Sequence, residues 1–247
     1  MWTVGRWRRV GPVVLVAGLV LSLGAAGPAA AKPRRRAASC APGHTRTIVS
    51  NARVQVYAAR EPGGGSTNVY GCAYGSRRVY ELGLAPYRCL SAAGCGATEQ
   101  EVLAGDLVAY EQFSETPSLT SWELVVRNLR SGRIVHKVAT GLPLAGVSTL
   151  GVGTVTAIVL KPDGAVAWIA NDEARSQGLE ASRVPFYDVE ALDAGGPRRL
   201  LASGFDVDPA SLALATDAGN VGPNRHRVSA SRVYWTQAGQ PASAELR

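Results

Sequence analysis

The chain contains few of the residues on which metal and acid–base chemistry most often depends. Its 247 residues include only three histidines, His44, His136 and His226. None of them stands in a His-x-His or His-Glu-x-x-His spacing, which excludes the signature of a zinc protease. His136 falls in a predicted strand, where we expect a structural role, and the other two fall in loops beside arginine.

Motifs of nucleophilic catalysis and of nucleotide binding are also missing. Residues 146–150, Gly-Val-Ser-Thr-Leu, depart from a Gly-x-Ser-x-Gly nucleophile elbow at the fifth position. The glycines of 63–65 lack the Lys and the helix of a phosphate loop, and strands follow 151–153 where a dinucleotide fingerprint needs a helix. The sequence therefore predicts no cofactor and assigns no catalytic residue.

Lysine is nearly absent, since only Lys32, Lys137 and Lys161 occur among 26 basic residues. This bias toward arginine, with abundant Ala, Gly and Val, is typical of a GC-rich genome. All of the net charge of +7 is accounted for by three arginines in 1–9 and four basic residues in 32–36, so that residues 37–247 are neutral. A nucleic-acid-binding domain needs a basic face, and we expect no nucleic-acid partner.

The N-terminus has the layout of a secretory signal peptide. Arginines precede the apolar run Val10–Leu23, and small residues follow it up to Ala29-Ala30-Ala31. Signal peptidase requires small side chains at the −3 and −1 positions, which Ala29 and Ala31 supply. We expect residues 1–31 to be removed, which leaves Lys32 as the N-terminus of an exported chain with no membrane span.

Other routes to the cell envelope stay open. The stretch 10–31 is long enough to act as an uncleaved anchor, Arg8-Arg9 suggests twin-arginine export, and Cys40 follows small residues as a lipidated cysteine does. After the leader, residues 32–39 form a basic linker, and 40–247 form the folded domain.

The cysteines predict disulfide bonds. Cys40, Cys72, Cys89 and Cys95 all follow the leader, and four cysteines in an exported chain allow three pairings. Cys89 and Cys95 enclose a short loop that closes easily, which favours Cys89–Cys95 and leaves Cys40–Cys72 to attach the N-terminal segment. A four-cysteine zinc site is the alternative, but it lacks any Cys-x-x-Cys pair.

Short β-branched and aromatic runs separated by turn residues predict an all-β fold. The predicted strands are Val54–Ala59, Asn68–Tyr74, Arg78–Leu82, Leu107–Gln112, Trp122–Asn128, Arg133–Val138, Val155–Leu160, Ala165–Ala170, Val184–Glu190, Arg198–Ala202, Ser211–Ala215 and Arg232–Gln237. The one weak helical signal is Thr98–Leu103, where we expect a single turn of helix.

Turn chemistry pairs several of these strands. Lys161-Pro162-Asp163-Gly164 predicts a tight hairpin, because Pro fixes φ and Gly accepts a positive φ. Residues 130–133 and 193–196 join two more pairs in the same way. Gly75-Ser76 ends the strand that carries Cys72.

A weak internal repeat suggests blade-like units. Val108-Ala109-Tyr110, Val166-Ala167-Trp168 and Val233-Tyr234-Trp235 each form the centre of a β run. With a first unit over Val54–Leu82 there are about four units, with a spacing above that of ordinary propeller blades. The segment 159–167 resembles the Pro-Asp-Gly hairpin of the PD40 repeat in TolB-like β-propellers. The resemblance implies a propeller-like fold and a role as an exported interaction scaffold. TolB-like propellers usually have more than about four blades, so here we expect an incomplete ring.

Acidic residues are the one class of reactive side chain with a pattern. They lie at or after the ends of predicted strands, and the candidates for binding are Glu61, Glu111, Glu115, Asp172, Glu173 and Glu180. Paired carboxylates serve glycosidases and hard cations. Solvated loops with arginine partners are the simpler interpretation.

Three connections between predicted strands are long, namely Arg60–Thr67, Glu111–Ser121 and Asn171–Arg183. In a propeller these connections share one face, and binding residues concentrate on such loops. We hypothesise that this acidic face binds a cationic group or a cation, and tolerated insertions are the alternative.

The sequence as a whole predicts an exported binding or scaffolding module of the cell envelope, with an unknown protein or envelope ligand as its partner. A secreted hydrolase that acts on a glycan or an ester through loop carboxylates is the alternative. A membrane-anchored form of the binding module is a third interpretation.

Overall fold

The computed structural model describes residues 40–61, 66–85, 95–116, 119–140, 153–172, 185–216 and 231–247. The described residues form strands and turns, and they include no helix that is long and apolar enough to cross a membrane. The predicted leader and linker lie outside them. The strands are β1 Arg46–Ser50, β2 Val54–Arg60, β3 Thr67–Ala73, β4 Val79–Leu84, β5 Cys95–Ala104, β6 Leu107–Thr116, β7 Leu119–Asn128, β8 Ile134–Ala139, β9 Val155–Leu160, β10 Val166–Asn171, β11 Tyr187–Leu192, β12 Arg198–Gly204, β13 Ala213–Thr216, β14 Ser231–Gln237 and β15 Gln240–Leu246.

The strands are grouped into four antiparallel units, each made of consecutive strands: β1–β4, β5–β8, β9–β12 and β13–β15. One parallel bridge, Leu84 to Ala97, joins the first unit to the second. The first strands of successive units are neighbours, because β1 contacts β5, β5 contacts β9 and β9 contacts β13. The predicted all-β fold with about four blade-like units is therefore confirmed.

Three hydrophobic cores hold the units together, and each lies between two consecutive units. Strand β6 shows how, because its side chains alternate between two faces. Val108 and Tyr110 belong to the core shared with the first unit, whereas Leu107 and Ala109 belong to the core shared with the third. Among the described residues no core joins the fourth unit to the first, and the ring is not closed.

The hairpin between β9 and β10 has the predicted geometry. The Lys161 amide donates to the Ala165 carbonyl at 2.8 Å, and the Gly164 amide donates to the Lys161 carbonyl at 3.0 Å. Gly164 has φ +101°, which only glycine adopts without strain. The Lys161 ammonium also donates to the Leu246 carbonyl at 3.0 Å, so that this turn ties the third unit to the fourth.

The turns predicted over 130–133 and 193–196 are also present, with Gly132 at φ +80° and Gly195 at φ +94°. A Cβ on Gly132 would collide with the Tyr80 ring, so the second unit approaches the first closely at this point.

Two sequence predictions about local structure are wrong. Thr98–Leu103 is not a turn of helix but lies within β5, which pairs with β6 over its whole length apart from one irregularity. Glu111–Ser121 is not a long loop, because β6 extends to Thr116 and β7 begins at Leu119. Strands β1 and β15 were not predicted from the sequence.

The predicted Cys40–Cys72 disulfide is present. The two Cα atoms lie 6.1 Å apart, and the bond attaches the segment before β1 to the fully buried Cys72 of β3. The other predicted bond, Cys89–Cys95, involves residues that lie outside the part of the chain whose side chains are described.

Candidate functional site

The predicted acidic residues that the structure describes, Glu61, Glu111 and Asp172, lie on three different units. Glu61 lies on the first unit, where its carboxylate accepts hydrogen bonds from Ser66 Oγ and Asn68 Nδ2, both at 3.0 Å. These hydrogen bonds join the two ends of the connection between β2 and β3. Side chains of Glu115, Glu173 and Glu180 lie outside the described residues, and so does most of the Asn171–Arg183 connection.

Glu111 lies on β6 and is buried between the second and third units, with 1% of its surface exposed. Its Oε1 accepts a hydrogen bond of 2.8 Å from the Val155 amide at the start of β9. Burial raises the pKa of Glu111 to about 8, the Val155 hydrogen bond opposes this shift, and the neighbouring Glu99 adds to it. Glu111 is therefore a neutral acid at pH 7 that accepts a hydrogen bond across a junction between units.

Asp172 follows β10 and is also buried. It contributes to the negative potential around Glu190 of β11, whose pKa burial raises while a hydrogen bond from Arg198 lowers it. The Arg198 guanidinium binds both carboxylate oxygens of Glu190, donates to the Ala139 carbonyl at 2.8 Å, and lies over the Trp168 ring. This arrangement links the third unit to β8 of the second, and its role is structural.

Strand β5 contains a bulge that the sequence did not reveal. After the pair Glu99–Glu111 the register shifts before Val102, so that Gln100 and Glu101 together oppose a single residue of β6. Gln100 has φ +58°, a left-handed conformation that is rare for a residue other than glycine. Bulges and strained residues of this kind are frequent next to functional sites.

A cleft with a volume of about 240 Å³ opens beside this bulge, between the first and second units. We call it the acidic cleft. Strand β1 supplies Arg46 and Ile48, β3 supplies Val69, Ala85 follows β4, and β5 contributes Thr98–Glu101. Apolar residues of β1 and β3 and the alanine after β4 therefore line the cleft together with polar residues of β5 and Arg46 of β1.

Thr98 is the buried polar residue of the acidic cleft. Its side chain is 1% exposed, and among the described residues its Oγ1 has no hydrogen-bond partner. A buried hydroxyl without a partner costs about 1–3 kcal/mol. The fold accepts this cost at several buried positions, Trp168 and Trp235 among them, and at Thr98 it does so beside the cleft.

The charged groups of the acidic cleft are not paired with one another. Burial raises the pKa of Glu101, its own backbone amide opposes this, Glu99 adds to it and Arg46 opposes it. Arg46 is exposed, and neither it nor Glu101 forms an ion pair in the part of the chain that the structure describes. Among the described residues, Glu101 and Arg46 therefore interact electrostatically at the cleft without forming a close ion pair.

No metal centre is formed by the described residues, which contain no group of three or more His, Cys, Asp or Glu placed to hold an ion. His136 lies in β8, where burial lowers its pKa, so that it stays uncharged at neutral pH.

Sequence reasoning missed Arg46, Thr98, Gln100 and Glu101. The bulge breaks the alternation that marks a strand, and the segment Thr98–Glu101 therefore has no strand pattern. The two acids that flank Gln100 were the only sign of a site in this segment, and such acids are equally typical of an exposed turn. No protein-family model matches this chain, and no curated protein matches it.

Proposed function

We propose that this protein is an exported binding module of the cell envelope whose ligand occupies the acidic cleft between β1 and β5. The observation that carries the proposal is the cleft itself, which opens beside the bulge and the left-handed Gln100 of β5. Arg46, Gln100 and Glu101 offer polar groups to a ligand there. Such polar groups, placed in a largely preformed pocket, are what fix the orientation of a small ligand.

The surrounding structure supports a binding role because it makes the cleft rigid. Val69 belongs to the core between the first and second units, and Ile48 packs against that core. A preformed site loses less conformational entropy when it binds. The left-handed Gln100 is held in place by the pairing of β5 with β6 on both sides of the bulge.

Export is supported by the leader pattern and by the Cys40–Cys72 disulfide, since such bonds persist mainly outside the cytoplasm. The hairpin over 161–164 gives the same proposal a second line of support, because it resembles the repeat of TolB-like propellers, which are exported interaction scaffolds. That membership rests on one hairpin and stays a prediction.

A hydrolase is less well supported by the geometry. The pair Glu99 and Glu111 resembles an acid–base pair in that one of its members is neutral. However, Glu111 is buried and its Oε1 is engaged by Val155, and it does not line the acidic cleft. A substrate in the cleft would meet Glu101 but not this pair, since Glu99 opposes Glu111 across β5 and β6 and lies on the same face.

The proposal is tested with protein purified from the medium or envelope of an export-competent host. We expect mass spectrometry to place its N-terminus near Lys32. The immobilised protein is exposed to envelope extract, and retained components are compared among three forms. Ala85→Trp fills the acidic cleft, whereas Ala52→Trp adds the same bulk at an exposed turn as a control.

We expect the wild type and Ala52→Trp to retain the same component, and Ala85→Trp to lose it with an unchanged thermal midpoint. If Ala85→Trp unfolds early, Ala85→Leu replaces it. Equal retention by the cleft-filled variant would overturn the location of the site. A wild-type protein that retains nothing would overturn the binding role, and steady release of a cleaved product would favour the hydrolase.

A further inference from the structure

The turns at one end of the first and second units bring five exposed arginines together. They are Arg53 between β1 and β2, Arg77 and Arg78 between β3 and β4, and Arg130 and Arg133 between β7 and β8. We call this group the arginine patch. It shares no residue with the acidic cleft, and the two sites can therefore be tested independently.

Asp106 connects the two halves of the arginine patch. It lies in the turn between β5 and β6, accepts a hydrogen bond of 3.0 Å from Arg130 Nε, and lies 4.0 Å from Arg53 Nη1. Both contacts involve the same carboxylate oxygen. A guanidinium of the first unit and one of the second unit are therefore held side by side.

The remaining turns of this end are also in contact. The Arg53 carbonyl accepts a hydrogen bond of 2.8 Å from the Tyr74 amide, at the start of the turn that carries Arg77 and Arg78. Gly132 of the turn between β7 and β8 lies against the Tyr80 ring of β4. The five arginines therefore belong to one continuous surface.

The arginine patch carries a charge that the described residues do not neutralise. Asp106 is the only acid in the four turns of this end, so five positive charges are set against one negative charge. Within the described ranges Arg77, Arg78 and Arg133 form no ion pair. The sequence did not reveal this surface, because its arginines come from three separate turns.

Two exposed aliphatic side chains border the arginine patch. Val79 follows Arg78 at the start of β4 and is 43% exposed, and Ile134 follows Arg133 at the start of β8 and is 42% exposed. A soluble polyanion would bind the arginines but would leave both aliphatic side chains in water. A lipid bilayer offers anionic headgroups to the arginines and an apolar layer to their neighbours.

We propose that the arginine patch binds the surface of an anionic lipid bilayer, with Val79 and Ile134 entering the headgroup region. The guanidinium groups bind lipid phosphates, which they match with parallel hydrogen bonds. Each basic residue near an anionic surface strengthens binding by about fivefold, so several of them together hold a protein on a membrane that it does not span. An exported protein would then lie against the outer surface of the membrane that it has crossed.

Vesicle sedimentation of the purified exported protein tests this. We expect binding to vesicles of equal parts phosphatidylglycerol and phosphatidylcholine, and no binding to vesicles of phosphatidylcholine alone. Raising the salt concentration from about 0.1 M to about 1 M shortens the Debye length from about 10 Å to about 3 Å, so we expect binding to weaken at least tenfold. Equal binding to both kinds of vesicle, or binding to neither, would overturn the proposal.

Paired variants locate the contact. Arg78→Gln combined with Arg133→Gln removes two charges from the arginine patch, and we expect binding to anionic vesicles to weaken at least about tenfold. Arg60→Gln combined with Lys137→Gln removes the same charge from the opposite ends of β2 and β8 and should have a much smaller effect. The basic residues of 32–36 are the same in every form. Equal losses in the two pairs would show that binding follows net charge, which would overturn the assignment to the patch.

The aliphatic pair distinguishes a bilayer from a soluble polyanion. We expect Val79→Ser combined with Ile134→Ser to weaken vesicle binding about tenfold and to leave the binding of polyphosphate unchanged. Phe205→Ser, at a side chain that is 39% exposed and lies after β12 outside the patch, is the control and should leave vesicle binding unchanged.

If the double serine variant has a lower thermal midpoint, Ile134→Ser alone replaces it. Vesicle binding that is as strong without the aliphatic side chains as with them would show that the patch recognises phosphate groups and not a bilayer. Tighter binding of the wild type to polyphosphate than to anionic vesicles would identify a soluble polyanion as the ligand and would also overturn the proposal.

Discussion

Glu111 combines almost complete burial with a hydrogen bond that crosses from one unit to the next. A carboxyl group in this environment keeps its proton, and the neutral acid accepts the Val155 amide without leaving a charge in the core. The residue therefore favours the folded state only while it is protonated. This links the stability of the junction between the second and third units to pH.

The pH dependence has a definite sign. The pKa of Glu111 is about 8 in the folded protein, against 4.5 for the ordinary group, so the folded state holds one more proton between these values. Its contribution to stability is complete below pH 4.5 and is lost as the pH rises to about 8, with a slope of roughly 1.4 kcal/mol per pH unit. We expect Glu111→Gln to remove this slope when urea unfolding is measured from pH 5 to pH 8.

Glu245→Gln serves as the control for this experiment. Hydrogen bonding to Arg247 lowers the pKa of Glu245, so its contribution changes only below the range measured. A wild-type slope that is equal to that of Glu111→Gln would mean that Glu111 is already ionised at pH 5.

Sequence reasoning at the residue scale selected Glu111 as a loop acid on a ligand face, and the structure makes it a buried strand residue. Thr98 and Arg46 attracted no notice because a lone threonine or arginine carries no signal. Their significance comes from residues of β1, β3 and β5 that meet only in the folded chain.

Strands β5 and β10 show the worst and the best result when single strands are predicted from the sequence. Both faces of β10 are covered by neighbouring units, so its sequence is a continuous apolar run, and its position was predicted to within one residue. In β5 two residues oppose one, and the alternation that identifies a strand is lost. The hairpin at 161–164 was predictable because Pro, Asp and Gly each have a local conformational reason to be there.

The hairpin between β14 and β15 contains a residue that does not suit its conformation. Ala238 and Gly239 form the two-residue turn with φ +50° and φ +71°, the pattern that Asn-Gly satisfies best. We expect Ala238→Asn to raise the free energy of unfolding by about 1 kcal/mol, because asparagine tolerates the left-handed region better than alanine. Differential scanning calorimetry should show a midpoint about 2–4 °C higher.

Ala52→Asn is the matched control, because Ala52 is an exposed turn residue without a positive φ. A similar gain in both variants would show that asparagine acts through the unfolded chain or the surface. If Ala238→Asn does not raise the free energy of unfolding, alanine adopts the turn conformation without strain.

The Cys40–Cys72 disulfide acts on the whole molecule, since it joins the start of the described chain to the third strand across a separation of 32 residues. Restricting a loop of this length in the unfolded chain stabilises the fold by about 2–4 kcal/mol. We expect Cys40→Ser to lower the free energy of unfolding by this amount in denaturant titrations without reductant. Cys40 is the residue to replace, because Cys72 is fully buried and its substitution would also disturb packing.

Thiol labelling of the denatured protein provides the check on this variant. Cys40→Ser should expose one more reactive thiol than the wild type, from the unpaired Cys72. A variant with an extra thiol and unchanged stability would show that the bond does not restrict the unfolded chain.

At the scale of the whole molecule, composition and turn spacing were sufficient for the fold class and for the number of units. The tight turns within units followed from their Gly, Pro and Asp residues. The order in which the units pack against one another could not be predicted in this way, because it depends on which face of each sheet the next unit covers. The acidic cleft lies at one such meeting, and no segment of the sequence describes it alone.

The four units are arranged as an open row, and the free energy of folding can therefore be treated as that of a linear array. Each described core is shared by units that are neighbours in the chain, so the free energy is a sum of unit terms and three interface terms, as in a repeat protein. A middle unit opens only by breaking two interfaces, whereas the first and fourth units each break one. The first unit lines part of the acidic cleft, and a ligand that bridged β1 and β5 would therefore add a further tether to a terminal unit. Ligand binding in the cleft would then stabilise the first unit, and local unfolding would shift from the first unit to the fourth.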